Sequence, residues 1–167
     1  MKAIFFITAS CLLLTQRMQA QEIKTLLNVN ASEGPVYVDL AHGSTVDRSA
    51  AWDIAISKTT ILVNSGSSGT GKDSAQVVST AFDNLQQAPR NGYGADKDMQ
   101  KAIPTGSGNG WYTYNMEEHT INPLPDRVIV IKRGEGQYIK LQIQSYYKDL
   151  KPYEAGAFYT LRYAVIQ

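Results

Sequence analysis

The chain has 167 residues, 43% of them hydrophobic, and its 16 Lys and Arg against 15 Asp and Glu give a formal charge of +1. That balance offers no basic excess to hold a polyanion, which argues against nucleic-acid binding. The single cysteine, Cys11, excludes an internal disulfide and a thiolate metal site, and a chain of this length can bury one sufficient core without such staples.

The first feature along the chain is an export signal. Lys2 supplies a short positive start, and residues 3–14 are nearly uncharged, with Ile4, Phe5, Phe6, Ile7, Leu12, Leu13 and Leu14 among them. This stretch is shorter than the roughly 20 apolar residues of a membrane-spanning helix and matches the apolar region of a secretory signal. Ala20 before Gln21 offers a cleavage point, although Met18 is bulkier than a signal peptidase prefers. The alternative is a lipid anchor: Thr8-Ala9-Ser10-Cys11 partly resembles a lipobox, with Thr8 where Leu or Val is usual, and Cys11 would then be acylated. The expected division is a signal at residues 1–20, an N-terminal lead at 21–35 and a single β domain at 36–167. Cleavage near Ala20 removes Lys2, Arg17 and no acid, so 14 bases would face 15 acids, a formal charge of −1.

Beyond the lead, residues 36–40 are rich in strand formers and end at His42-Gly43-Ser44. Residues 52–57 alternate large apolar with small or polar side chains, the period of a half-buried strand. Residues 59–63 are dense in β-branched side chains, whose stiffness suits a pleated surface. Residues 64–72 are rich in Gly and Ser, residues 75–85 suit either a short helix or a strand, and Gly and Pro punctuate a long loop up to Gly110. A loop of that length inside a domain is usually functional or mobile.

Residues 111–116 read as a strand, with Tyr112, Tyr114 and Met116 on one face. Residues 128–132 and 138–147 flank Arg133-Gly134-Glu135-Gly136-Gln137, a hairpin signal. In the second arm Ile139, Leu141, Ile143, Ser145 and Tyr147 form the expected core face. A last strand, residues 158–166, carries Tyr159, Leu161, Tyr163 and Val165 on one side. The expected fold is all-β and mainly antiparallel, with at most one or two short helices.

Few groups suggest chemistry. Residues 66–73 come within one residue of a phosphate-cradling loop, but Asp73 stands where a magnesium-binding Ser or Thr is required, and a loop between strands is the better reading. A hydrolase needs a base, and after the signal only His42 and His119 offer the usual one. Neither a G-x-S-x-G nor an H-E-x-x-H pattern is present, and the adjacent Glu117 and Glu118 would point apart on a strand. No catalytic residue is assigned. His42 reads as a solvated or turn-bonded residue. His119 lies three residues after Met116, beside the strand holding Tyr114, so an imidazole and a thioether that suit haem iron share one short segment. The plainer alternative makes His119 a surface turn residue and Met116 strand-face filler. The ten tyrosines, Tyr147, Tyr153 and Tyr159 among them, are candidates to line a groove, or simply to pack in the sheet.

Three passages together resemble the HmuY family of haem-binding surface proteins. They are Trp52-Asp53-Ile54-Ala55 with Asn64-Ser65-Gly66-Ser67-Ser68-Gly69; Trp111-Tyr112-Thr113-Tyr114 with His119-Thr120-Ile121-Asn122-Pro123; and the run Tyr138-Ile139-Lys140-Leu141-Gln142-Ile143-Gln144-Ser145-Tyr146-Tyr147, closed by Thr160-Leu161-Arg162-Tyr163. The resemblance implies an HmuY-like sheet architecture and a haem site. It also implies an exported protein, secreted or at the cell surface and outer membrane, and haem delivery to a TonB-dependent outer-membrane receptor. Membrane contact would run only through a lipid anchor. Family members hold haem iron with two axial His or Met side chains, and the resemblance places the first near His119. The second would fall after Tyr147, yet residues 148–157 contain neither His nor Met. Tyr153 is the donor available there, and Met116 is the alternative beside His119; Tyr114 and Tyr147 are expected to pack on the porphyrin. The resulting expectation is a non-enzymatic, hemophore-like protein. The runner-up is an exported β-rich surface or structural module that kept the fold and lost haem ligation, and a secreted hydrolase comes third.

Overall fold

The computed structural model describes residues 21–167, so the export signal and Cys11 lie outside the described residues. The segment 21–35, expected as a lead, contributes the first strand, β1 (Lys24–Asn30). It pairs with β11 (Gly156–Ile166) at one edge of a five-stranded antiparallel sheet. The sheet continues through β10 (Tyr138–Tyr147) and β9 (Arg127–Lys132) to β6 (Ser74–Ser79), in the order β1-β11-β10-β9-β6. The expected hairpin is β9–β10, with Tyr138 opposite Lys132. A second sheet has the order β3-β2-β4-β5, built from β2 (Val36–Asp39), β3 (Ser44–Val46), β4 (Ile54–Ser57) and β5 (Thr60–Val63). A separate hairpin joins β7 (Tyr112–Asn115) to β8 (Thr120–Pro123). The only helical elements among the described residues are 3-10 turns at Phe82–Asn84 and Lys148–Leu150. The fold is therefore all-β and antiparallel.

The alternation of apolar residues decides which faces meet. Val38, Ile54, Ile56, Ile61 and Val63 from the four-stranded sheet pack against Ile129, Ile131, Ile139, Leu141, Tyr159 and Leu161 from the larger one. Fully burying one such aliphatic side chain contributes roughly 1.5–3 kcal/mol, so this sandwich core dominates stability. The opposite face of the larger sheet is covered as well: Phe82, Val128, Val130, Ala164 and Ile166 form a smaller cluster there. This is why β9 reads as an unbroken apolar run; a strand covered on both sides has no polar face to show.

Covering that second face buries Lys140, which is 1% exposed although it alternates with the core residues of β10. Its ammonium donates to the carbonyls of Phe82 and Leu85, both at 2.9 Å, and sits 4.3 Å from the Phe82 ring centroid. Arg162 lies 4.3 Å from the same ring. Burial still pushes the Lys140 ammonium below its ordinary pKa. The segment 75–85 is thus both of the expected alternatives in succession, a strand followed by a helical turn that lids the sheet.

Charged groups tie the two sheets at one end. Arg133, in the β9–β10 turn, donates from Nε to Asp53 Oδ1 at 2.7 Å, while Asp53 Oδ2 accepts from the Leu40 N–H at 2.7 Å. Asp73 Oδ1 accepts from the Gly134 N–H at 2.8 Å. Desolvation, with help from the Asp53 and Glu135 charges, pushes the Asp73 carboxyl up to about 6, against the Gly134 hydrogen bond and Arg133. A carboxyl raised by folding binds protons more tightly in the native state, so its contribution falls as pH rises from about 4 through about 6. Asp73→Asn keeps an acceptor for Gly134 and removes that fall. Its stability relative to wild type should climb by on the order of 1 kcal/mol between about pH 4 and pH 7, as read by urea unfolding. A pH-independent difference contradicts the assignment.

Candidate functional site

The β7–β8 hairpin carries most of the residues singled out from sequence. Asn115 faces Thr120 across its mouth, leaving a four-residue loop, Met116, Glu117, Glu118 and His119. Asn115 shapes the loop: its Oδ1 accepts from the Glu117 and Glu118 N–H groups at 2.9 and 3.2 Å. His119 closes it with φ 54°, the left-handed conformation in which His is several-fold enriched over bulkier residues. In this position its Nδ1 lies 2.8 Å from the Tyr114 hydroxyl, and Nε2 is left for another partner. Met116 is 74% exposed and Tyr114 38% exposed beside it. The face that begins with buried Tyr112 therefore runs out of the core into solvent at the tip.

A second segment meets this tip. β10 continues past the core through register shifts at residues 143/145 and 145/147, and Tyr147 pairs with Gly156. The Tyr147 hydroxyl accepts from the Ile121 N–H at 2.8 Å, fastening β8 to the end of β10. Between Tyr147 and Gly156 runs the loop with Leu150, 54% exposed, and Tyr153, 69% exposed. Asp149, Leu150 and Tyr153 all have positive φ, as does Ala157 just beyond. Backbone strain of this kind costs of order 1–3 kcal/mol per residue and persists only where the surroundings over-determine it. Here the restraint is Asn28, itself at φ 53° in the bulge of β1. Its Nδ2 donates to Asp149 Oδ1 at 2.7 Å and its Oδ1 accepts from the Asp149 N–H at 2.8 Å. Partial desolvation and the neighbouring Glu118 carboxylate push the Tyr153 phenol above its ordinary pKa. Of the five predicted residues, Tyr114, Met116 and His119 lie on the hairpin, Tyr147 is bonded to it, and Tyr153 lies on the loop that follows Tyr147.

Beneath it lies an aromatic platform. Trp111 stacks on Tyr146 with ring centroids 6.3 Å apart and meets Tyr159 edge-on at 5.4 Å. Its Nε1 donates to the Thr59 carbonyl at 3.0 Å, and the Tyr159 hydroxyl donates to the Lys58 carbonyl. Gly156 is needed here, because a Cβ on it would come within 2.7 Å of the Tyr146 ring. Trp111 and Tyr159 are buried in the core, and Tyr146 is partly buried against them.

The remaining candidates lie elsewhere. His42 is a turn residue: its Nδ1 is 2.6 Å from Asp39 Oδ2, and its side chain is open to solvent. Partial burial raises the Asp39 carboxyl, but hydrogen bonds from His42 and Ala41 hold it below its ordinary value. The Gly-rich loop after β5 is pinned at both ends of its turn, with the Gly71 N–H on Asn64 Oδ1 and the Ser67 N–H on the Asp96 carbonyl. Asp73 turns toward Gly134, so the loop forms no phosphate cradle. Asn28, Asp149 and Leu150 were not predicted; no local pattern marks a contact 121 residues long. His119 lines none of three clefts of about 690, 310 and 270 Å³. Its surroundings form an open face.

Comparison with known proteins bears on this geometry. The family model described as HmuY protein matches residues 32–158. None of the curated proteins matches the chain in sequence. A Tannerella forsythia apo HmuY analog superposes with a TM-score of 0.61 at 18% identity, covering 88% of this chain and 96% of that one. A Bacteroides vulgatus protein assigned as HmuY-like and haem-binding gives 0.57 at 16% identity, covering 86% and 90%. A Bacteroides fragilis protein assigned as a lipoprotein gives 0.57 at 13% identity, covering 89% and 92%. At such identities these structures speak for the fold alone.

The Asn28 clamp is testable without any ligand. Asn28→Ala should speed hydrogen exchange at the Asp149 and Leu150 amides while costing only about 1–2 kcal/mol of global stability. Unchanged exchange in that loop would show that something else holds it.

Proposed function

The chain belongs to the HmuY family, and from that premise we propose that it is an exported, non-enzymatic haem-binding protein whose His119 donates to haem iron. The observation that carries this reading is the hydrogen bond between Tyr114 and His119 Nδ1. Coordination through Nε2 requires the tautomer with its proton on Nδ1, and the phenol oxygen is placed to accept that proton's hydrogen bond. An imidazole fixed this way loses less rotational freedom on binding and is a better donor. Met116 on the same loop, and Leu150 and Tyr153 on the loop after β10, supply exposed apolar surface, and covering such surface with a porphyrin is favourable by roughly 25 cal/mol per Å².

The second donor is weaker. Tyr153 lies in the facing loop, but its raised phenol pKa opposes the phenolate that would bind ferric iron well. Haem is therefore held by one strong axial donor and by packing, with Tyr114 and Tyr147 among the aromatic contacts. Such an open, singly ligated site suits uptake and release to an outer-membrane receptor better than permanent storage. Export fits the apolar N-terminal segment, and the Bacteroides fragilis neighbour keeps a lipid anchor at Cys11 in view.

One observation favours a second reading, an exported module of the same fold without haem ligation: residues 148–157 offer no His or Met opposite His119. Titrating the purified protein with haemin separates the two. Haem binding predicts a shifted Soret band that saturates at one haemin per chain. Tyr114→Phe should weaken it by about tenfold, in the range for a lost partner of a metal-bound imidazole, and His119→Ala should weaken it further. An unshifted band at protein excess selects the second reading.

A further inference from the structure

β6 ends the five-stranded sheet, and its outer edge is only partly covered. At Ala75 the edge is taken: Ala75 and Gly94 exchange both backbone hydrogen bonds at 2.9 Å. Along an antiparallel strand, successive residues aim their N–H and C=O groups alternately to either side. Ala75 points outward, so Val77 and Ser79 do too, while the intervening residues serve β9. The Thr80 N–H, bonded to the Asp126 carbonyl at 2.8 Å on the β9 side, fits that phase. Val77 and Ser79 have no outward backbone partner among the described residues. They border the cleft of about 690 Å³, which residues of the 92–104 segment also line.

Lys97, Lys101 and Arg127 line this cleft, and no carboxylate does. Among the described residues Lys101 Nζ reaches only the hydroxyls of Ser67 and Ser68, at 3.2 and 3.5 Å. Lys97 has no ion pair among the described residues, and Arg127 pairs only with its neighbour Asp126, at 3.1 Å. Lysines on an edge strand itself commonly block strand addition. Here Lys97 and Lys101 stand on the loop across the cleft, so they leave the edge open and set the charge of whatever enters.

We propose that this cleft binds an extended acidic peptide, which adds to the sheet as a strand beside β6. The open backbone groups of Val77 and Ser79 take the peptide's main chain. The three cations take carboxylates projecting from alternate positions along it. The cleft shares no residue with the proposed haem site, and the inference is independent of that reading.

Fluorescence anisotropy with a labelled peptide of alternating Glu and Val tests it on the folded chain. Binding should saturate, and Lys97→Glu with Lys101→Glu should weaken it by about tenfold or more, a loss of about 1.4 kcal/mol. N-methylation of the peptide at every second residue should, in one of its two phases, be as damaging, because it removes the hydrogens that pair with β6. Absence of saturation overturns the proposal, as does equal binding of the unmodified peptide and both methylated forms, which would mean charge adsorption alone. Sedimentation is the last arm. A dimer that dissociates on Val77→Pro, a change that removes an outward N–H and keeps the bonds to β9, would assign the edge to a second copy and overturn the peptide.

Discussion

The pairing of β10 with β11 is the constraint on which the rest of the structure depends. It starts with Tyr138 opposite Ile166 inside the core and reaches Tyr147 opposite Gly156 outside it. Within the core, Ile139, Leu141, Tyr159 and Leu161 anchor it against the second sheet. Beyond Ile143 the register shifts twice, which bends the ribbon as bulges do. The bent end presents Tyr147 to β8 and starts the loop that returns to Gly156. A stable interior thus extends as a ribbon that positions surface elements beyond the core.

What those elements carry follows from local chemistry. A four-residue hairpin loop needs a residue tolerant of positive φ at its close, and His119 fills that place while its ring turns to Tyr114. The facing loop spends strain at Asp149, Leu150 and Tyr153, restrained by Asn28 from a strand far away in sequence. Both segments expose apolar side chains that a free surface would not favour. A flat, apolar ligand with a metal centre is the kind of partner that covers them and uses the imidazole.

Much of this was legible in the sequence, for identifiable reasons. β9 and β10 announced themselves by β-branched runs around a Gly-rich turn, and the local cluster of Tyr114, Met116 and His119 needed only short-range reading. β1 was hidden because its apolar residues, Leu26, Leu27 and Val29, flank a bulge that breaks their alternation. Lys140 and Gln142 looked solvent-facing because a strand pattern shows one core, while the lid from Phe82 comes from 58 residues away. The partner of His119 on the opposite loop was not legible, since the chain departs there from the His or Met that the family resemblance implies.

The most direct measurement is a crystal structure of the chain grown with haemin. The account predicts iron on His119 Nε2, the Tyr114 hydroxyl still at Nδ1, and the porphyrin covered by Met116 and the loop of Leu150 and Tyr153. Porphyrin seated at another face, with the His119 imidazole turned to water, would contradict it.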